Sequence, residues 1–516
     1  MAELRNPPPP PSPARGEGGI YPPGDYDVVV VGSGPGGLQV SYCLGRLGIR
    51  HAVLSADDGP GGMFRKWPLF QRMLSWTKPY IGPDRQSREF ERYDWNSLLA
   101  DEPANRGLMA GLMDGSSSFP SRPEMESGLK RFADGTRISV RYGCRWQATR
   151  PDGDGFVVET SDGPYRCRLA VFAVGVAEPW RPPIPGLEAV PHYGDCARPE
   201  DFAGKRVFII GKQNSGFEIA SGLLSWAGTI VLASPSPTRL SVNTRSLVGV
   251  RARYVQPYED HVLAGGVLVL DAAIESVSKR GDSHVVATRS SVDGSARNFD
   301  VDSVIAATGF VAPLQDLPAL GVATFGQSRL PAQTAYWESA SVPGIFFAGT
   351  LSQGAAGLRK HGVPSNSGAV HGHRYNARLL ARHIAERHFG VKPAAKPIAE
   401  KEAVNYVLSE LSRAPELWHQ KSYLARALLV EDDGLKDAGI VPLSAFVDAG
   451  GPDGVAVAIE SNAQGETYPA IYRRQRGRIS EHLLDPSPIH DYQTDEHRRA
   501  LASVLQPLLG AVATTA

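Results

Sequence analysis

Residues 26–37, Tyr-Asp-Val-Val-Val-Val-Gly-Ser-Gly-Pro-Gly-Gly, constrain what this chain can fold into more than any other segment. Val28 to Val31 form a β-branched run without polar alternation, which suits a strand covered on both faces inside a parallel sheet. Gly32, Gly34 and Gly37 then give G-x-G-x-x-G. An apolar-periodic run through Leu38, Tyr42, Leu44 and Leu47 reads as a helix, and residues 51–55 read as a second strand. Strand, tight turn, helix and strand in that order are the context in which the glycine pattern signals dinucleotide binding. The first glycine permits the turn, the second lets a pyrophosphate approach the backbone, and the third lets helix and strand pack closely. Free amides at the helix start meet the phosphate charge. Gly32, Ser33, Gly34, Pro35, Gly36 and Gly37 are therefore the first candidate cofactor-binding residues.

An acidic residue that would bind a ribose hydroxyl is missing from the end of the second strand, where Ser55 stands. Either Asp57 or Asp58 can take that role, or the pair belongs to a solvated loop. The run Gly59-Pro-Gly-Gly62-Met63-Phe64 is a second glycine-rich turn. Its amides can close over the same pyrophosphate, or it is a plain loop.

A comparable unit recurs later: a strand at residues 205–210, the turn Gly211-Lys212-Gln213-Asn214-Ser215-Gly216, a helix at 217–226 and a strand at 229–233. Gln213 occupies the middle glycine's position, but Asn214 and Ser215 can cap the helix and donate to a phosphate. After the next strand, Ser234, Ser236 and Arg239 offer hydroxyls and a guanidinium where an acid would select a 2′-hydroxyl. That favours NADPH, unless Ser and Pro simply make a turn there. Small-residue strands ending in Thr308-Gly309 and in Gly349-Thr350 each offer a way back to the first nucleotide fold, and glycine at such strand ends permits close approach to a flat ring.

These segments divide the 516 residues into five parts. Residues 1–25 carry the proline run Pro7 to Pro11 and read as a disordered tail. Residues 26–185 and 301–390 read as two parts of one nucleotide-binding domain, 186–300 as an inserted second one, and 391–516 as a C-terminal appendage with helices at 399–411 and 494–509. The fold class is α/β, with two Rossmann-like domains. Lys plus Arg number 54 against 54 Asp plus Glu, which removes the electrostatic footprint of a protein built to bind nucleic acid or anionic membrane. No run of roughly 18 apolar residues exists, and the first ten residues lack the apolar core of a secretory signal, so the chain reads as cytoplasmic. The four cysteines, Cys43, Cys144, Cys167 and Cys196, are far apart in sequence, so no Cys-x-x-Cys pair is present for thiol–disulfide exchange.

Together these segments resemble the two-dinucleotide-domain flavoproteins, and within that group the flavin-containing monooxygenases and the FAD-dependent oxidoreductase domain-containing protein 2 family. The resemblance is carried by residues 32–37, 93–98, 119–123, 199–206, 214–218, 307–310, 346–350 and 371–375. This chain departs from the pattern at Ser55, at Gln213 and at Thr350, where related flavoproteins often have Asp. The resemblance implies that the first fold holds FAD and the second NADPH. It also implies that NADPH reduces the flavin, that O2 adds to it, and that the C4a-hydroperoxide passes one oxygen to a nitrogen, sulfur or carbon of a small-molecule substrate. Arg359 and Lys360, followed by His361, are candidate catalytic cations beside the flavin, or else a solvated basic loop. His371 and His373 would need further ligands to bind a metal, so none is assigned. Three alternatives remain open: a flavin reductase or oxidase without oxygen transfer, a flavin-dependent halogenase, and a flavin-bound sensor with a dead second site.

Overall fold

Val28, Val29 and Val30 have no solvent exposure in the computed structural model, which describes residues 20–512 apart from 69–70, 197, 245–248, 359, 363, 392–394 and 463. Their strand, Asp25–Val31, lies between His51–Leu54 and Gly163–Phe172 and runs parallel to both, with Val28 opposite His51 and Leu169. Gly155–Thr160 and Trp146–Asp152 extend the sheet, and Ile345–Phe347 joins it alongside Gly163–Phe172. The helix Pro35–Arg46 starts with proline in its first turn and is buried from Pro35 to Leu44. It packs on the long helix Val370–Phe389, so chain from both ends of the first nucleotide fold closes one core.

The second nucleotide fold is its own six-stranded sheet, in the order Ala296–Val301, Ser283–Ser290, Val267–Arg280, Thr229–Ser234, Arg206–Ile210, Ser303–Ala306. The last strand corrects the reading that the run ending in Thr308-Gly309 returns to the first sheet. Val304 pairs with Phe208 and Ile305 with Ile209, in parallel, inside the second sheet. A short buried aliphatic strand fits either sheet equally well by pattern, and pairing decided it. Only after Gly309 does the chain cross, with Phe310 and Val311 pairing against Glu178–Pro179.

The segment beyond residue 395 forms a third, antiparallel sheet: Lys396–Pro397, Gly434–Pro442, Leu424–Glu431, Gly454–Ser461, Thr467–Gln475 and Arg478–Leu483. Helices Glu400–Arg413 and Asp495–Val512 bury Val407, Leu411, Leu501 and Leu505 against it. Arg88 from the first domain docks this unit, reaching Glu410 at 2.9 Å and Glu416 at 2.7 Å. The proline run Pro7 to Pro11 lies outside the described residues. Among the described residues no helix is long and apolar enough to cross a membrane.

Candidate active site

The two phosphate-loop turns are built alike, and their glycines do different work. Gly32 has φ +113° and Gly211 φ +123°, a backbone region that favours glycine. A Cβ on Gly37 would strike the Gly32 carbonyl, and one on Gly216 would strike the Gly211 carbonyl. A Cβ on Gly36 would land on the backbone of Gly349, which brings that distant glycine against the first turn. The middle positions differ from all of these. Gly34 has extended backbone, φ −70° and ψ −179°, with nothing within 4 Å of an added Cβ. Gln213, at the matching place, is also extended at φ −106°. A middle glycine is therefore not needed to fold either turn, which is why Gln213 is tolerated.

Both turns open into one cavity of about 900 Å³. Gly32, Ser33, Gly34, Pro35 and Gly36 line it, as do Ser55, Asp57, Gly62, Met63, Phe64, Gly349 and Thr350 from the first fold and Asn214 and Ser215 from the second. The two glycine-rich turns of the first fold touch, because the Gly61 amide donates to the Ser33 carbonyl at 3.1 Å. Ser55 accepts a hydrogen bond from the Ser33 hydroxyl at 2.8 Å and from the Asp57 amide at 3.2 Å, and Asp58 pairs outward with Arg65.

Several candidate residues lie elsewhere. Gly37, Gly211, Gln213 and Gly216 shape the turns without lining the cavity, and Ser234, Arg239, Thr308 and Gly309 are also not on its wall. Thr308 and Gly309 hold the crossing between the two folds, where the Thr308 hydroxyl donates to the Trp180 carbonyl and the Trp180 amide to the Gly309 carbonyl. Lys212 is buried in an ion pair with Asp271. Asn214 does not cap its helix: its side chain donates to the Gly249 carbonyl and accepts from the Arg251 amide, pinning that loop beside the cavity. Arg359 lies outside the described residues. The Lys360 ammonium is off the cavity wall and sits on Glu481 and Glu460 of the third sheet, which is a correction to its reading as a cation beside the flavin. Two carboxylates, one of them on the fully buried Glu460, supply the attraction that sequence spacing could not reveal.

Sequence reasoning gave no functional role to two groups on the cavity wall. Glu218, on the helix Asn214–Leu223, accepts hydrogen bonds from the hydroxyls of Tyr193, at 2.8 Å, and Tyr254. Burial raises its carboxyl from 4.5 to about 7, even though both phenols pull the other way. A raised carboxyl stabilises the fold below its unfolded value and loses that contribution as pH rises to about 7. We expect Glu218→Gln to flatten the stability profile between pH 5 and 8, with a difference from the parent approaching about 3 kcal/mol at pH 8. Denaturant titrations across that range check it, and parallel curves would remove the assignment.

The other group is aromatic. Trp76 lies tilted against Trp95 at 4.3 Å, Trp95 stacks on His371 at 4.2 Å, and His419 meets His371 edge-on at 5.2 Å. Neither ring nitrogen of His371, nor the indole nitrogen of Trp95, has a partner among the described residues, and both residues line the cavity. Burial, then the neighbouring His419 and Arg374, hold His371 neutral, well below the ordinary histidine range. Unpaired buried polar atoms on the wall of a large cavity fit a bound group that supplies the missing partners. The crowded glycines and the Ser33–Ser55 floor fit the dinucleotide of FAD, and Asn214 and Ser215 bring the helix start of the second fold to the same cavity.

The comparisons agree with this architecture. The family model described as pyridine nucleotide-disulphide oxidoreductase matches residues 29–349. The chain is 27% identical over 481 residues to FAD-dependent oxidoreductase domain-containing protein 2 of Danio rerio, covering 82% of this chain and 67% of that protein. The mouse counterpart is 27% identical over 441 residues, covering 79% and 65%, so the chain spans about two thirds of the length of these relatives. A probable indole-3-pyruvate monooxygenase, YUCCA9 of Arabidopsis thaliana, is 24% identical over 64% of this chain and 85% of its own. Among solved structures, the flavin-containing monooxygenase of Stenotrophomonas maltophilia superposes with a TM-score of 0.52 at 22% identity, over 70% of this chain and 98% of its own. The bacillithiol disulfide reductase of Staphylococcus aureus gives 0.55 at 14%, over 70% and 99%. The chain belongs to the pyridine nucleotide-disulphide oxidoreductase family, as a flavin-monooxygenase-like flavoprotein with two dinucleotide-binding domains that uses FAD and NADPH.

Proposed function

We propose that this oxidoreductase is a monooxygenase. NADPH and a proton reduce O2 so that one oxygen atom enters a small-molecule substrate at nitrogen, sulfur or carbon and the other leaves as water. The observation that carries the reading is a cavity shared by both nucleotide folds with a lone thiol on its wall. All four cysteines are free and buried, and of them Cys144 alone lines the cavity. Exchange chemistry requires two thiols that can meet, so the reducing equivalents need another acceptor. FAD, when bound, supplies hydride acceptance from NADPH and activation of O2.

The protein's part is binding and exclusion. The Gly32–Gly36 turn and the helix behind it receive phosphate charge. Trp95, Trp146, Met73 and Phe310 give the cavity apolar walls that limit water. Glu218, with its proton affinity near neutrality, holds or releases a proton on that wall.

The test runs the FAD-loaded protein with NADPH under 18O2 against amine, thioether and aromatic libraries. The expected result is a product carrying one 18O per NADPH consumed. Peroxide release equal to NADPH oxidation across all substrates would show an oxidase. Cys144→Ser is expected to leave turnover unchanged, and its loss of turnover would restore a thiol mechanism.

A further inference from the structure

The third sheet is joined to the cavity through a dipeptide, His419-Gln420, at the end of the short helix Pro415–His419. Gln420 has no solvent exposure, and among the described residues its side chain makes no hydrogen bond within its own domain. Its oxygen accepts from the Asn366 amide at 2.9 Å, and its nitrogen donates to the Ser367 hydroxyl at 3.0 Å and to the Asn376 carbonyl oxygen at 2.8 Å. The neighbouring His419 carbonyl accepts from the Asn366 side chain at 2.7 Å. From there Asn376 donates to the Ser352 hydroxyl at 3.0 Å, and that hydroxyl donates to the Gly349 carbonyl at 2.7 Å. Gly349 is the residue whose backbone abuts Gly36 of the first phosphate turn. Pro364, Ser365, Asn366, Gly368 and Ala369 line the cavity, so the segment Gln420 grips is cavity wall.

A buried amide is costly unless its hydrogen bonds are made. Gln420 makes all of them to the FAD domain, which stability of the third sheet does not require. We propose that Gln420 is a positioning residue, through which the C-terminal domain sets the 364–369 wall and Gly349 for the bound flavin. The inference holds whichever acceptor the reduced flavin serves, because its readouts are flavin affinity and the flavin spectrum.

The test compares Gln420→Leu with Tyr406→Phe in the full chain. Tyr406 donates to Asp437 at 2.6 Å inside the third domain, away from the 364–369 segment. Gln420→Leu is expected to bind FAD about tenfold more weakly and to shift the visible absorption and fluorescence of the bound flavin. Tyr406→Phe is expected to lower the unfolding temperature without moving either readout. Gln420→Glu, which keeps the acceptor for Asn366 and loses both donors, is expected to weaken FAD in the same direction, and it carries the test if Gln420→Leu does not fold. Parent-like FAD affinity and spectrum in the Gln420 variants would overturn the proposal. So would weakening in both the Gln420 and Tyr406 variants in proportion to lost stability.

Discussion

Gly34→Ala is expected to leave a folded protein that holds FAD more weakly. The backbone there is extended, an added Cβ meets nothing within 4 Å, and the residue lines the cavity where a dinucleotide phosphate would approach. The cost to the fold should stay under about 1 kcal/mol, the loss of a good helix N-cap. FAD affinity should fall at least about tenfold, or about 1.4 kcal/mol. Gly36→Ala makes the contrast. Alanine in a helix ordinarily gains up to about 1 kcal/mol over glycine. Here its Cβ meets the Gly349 backbone, so strand and helix ends must part, and overpacking of that kind costs about 1–3 kcal/mol. Unfolding curves and flavin titration of the two variants separate fold from binding. A Gly34→Ala protein that purifies yellow, with parent affinity, would move the phosphate site elsewhere.

Removing Arg88 should loosen the C-terminal domain. Burial alone would push the Glu416 carboxyl up, and Arg88 with Arg426 holds it below the ordinary value. Arg88→Met leaves Glu410 and Glu416, 12% and 9% exposed, with Arg426 as a remaining cation, ion-paired to Glu410 at 2.6 Å. Losing one partner of a buried pair costs about 3–5 kcal/mol, and because Arg88 is 40% exposed solvent screening trims this to about 2–3 kcal/mol. The sign with pH follows from the depressed carboxyl. Its stabilisation is present above pH 4.5 and is lost as pH falls through the folded value. Denaturant unfolding should therefore show the larger penalty at pH 7 and a smaller one near pH 4. An equal penalty at both would assign Arg88 a packing role.

The parts of this fold that are legible in sequence are those whose signal is local. Val28–Val31 and the glycines after it specify a strand and a turn through sterics within a few residues, and the turn after Ile210 repeats the pattern. The strand at Val304 shows the limit, because its pattern fits a buried parallel strand in either sheet and the partner is chosen by tertiary pairing. The third sheet was harder still. Its strands alternate with short turns and a helix, Leu443–Asp448, so residues 441–460 carry no single period. At the site, the phosphate turns were readable because a motif encodes them. Glu218, Trp95 and Gln420 act through partners distant along the chain, such as Tyr254, His371 and Asn366. Lys360 misled for the same reason, since its acceptors arrive from strands 100 or more residues later.

The interrupted layout of the first nucleotide fold also bears on synthesis. Its sheet and helix layer are incomplete until Ile345–Phe347 and Val370–Phe389 have left the ribosome, whereas the inserted sheet, Arg206–Ala306, is contiguous. The nascent chain can therefore close the inserted sheet first, while residues 170–172 of the strand Gly163–Phe172 wait for Ile345–Phe347. A ligand that needs Gly349 set against Gly36 can accordingly be seated only after the inserted sheet has been made.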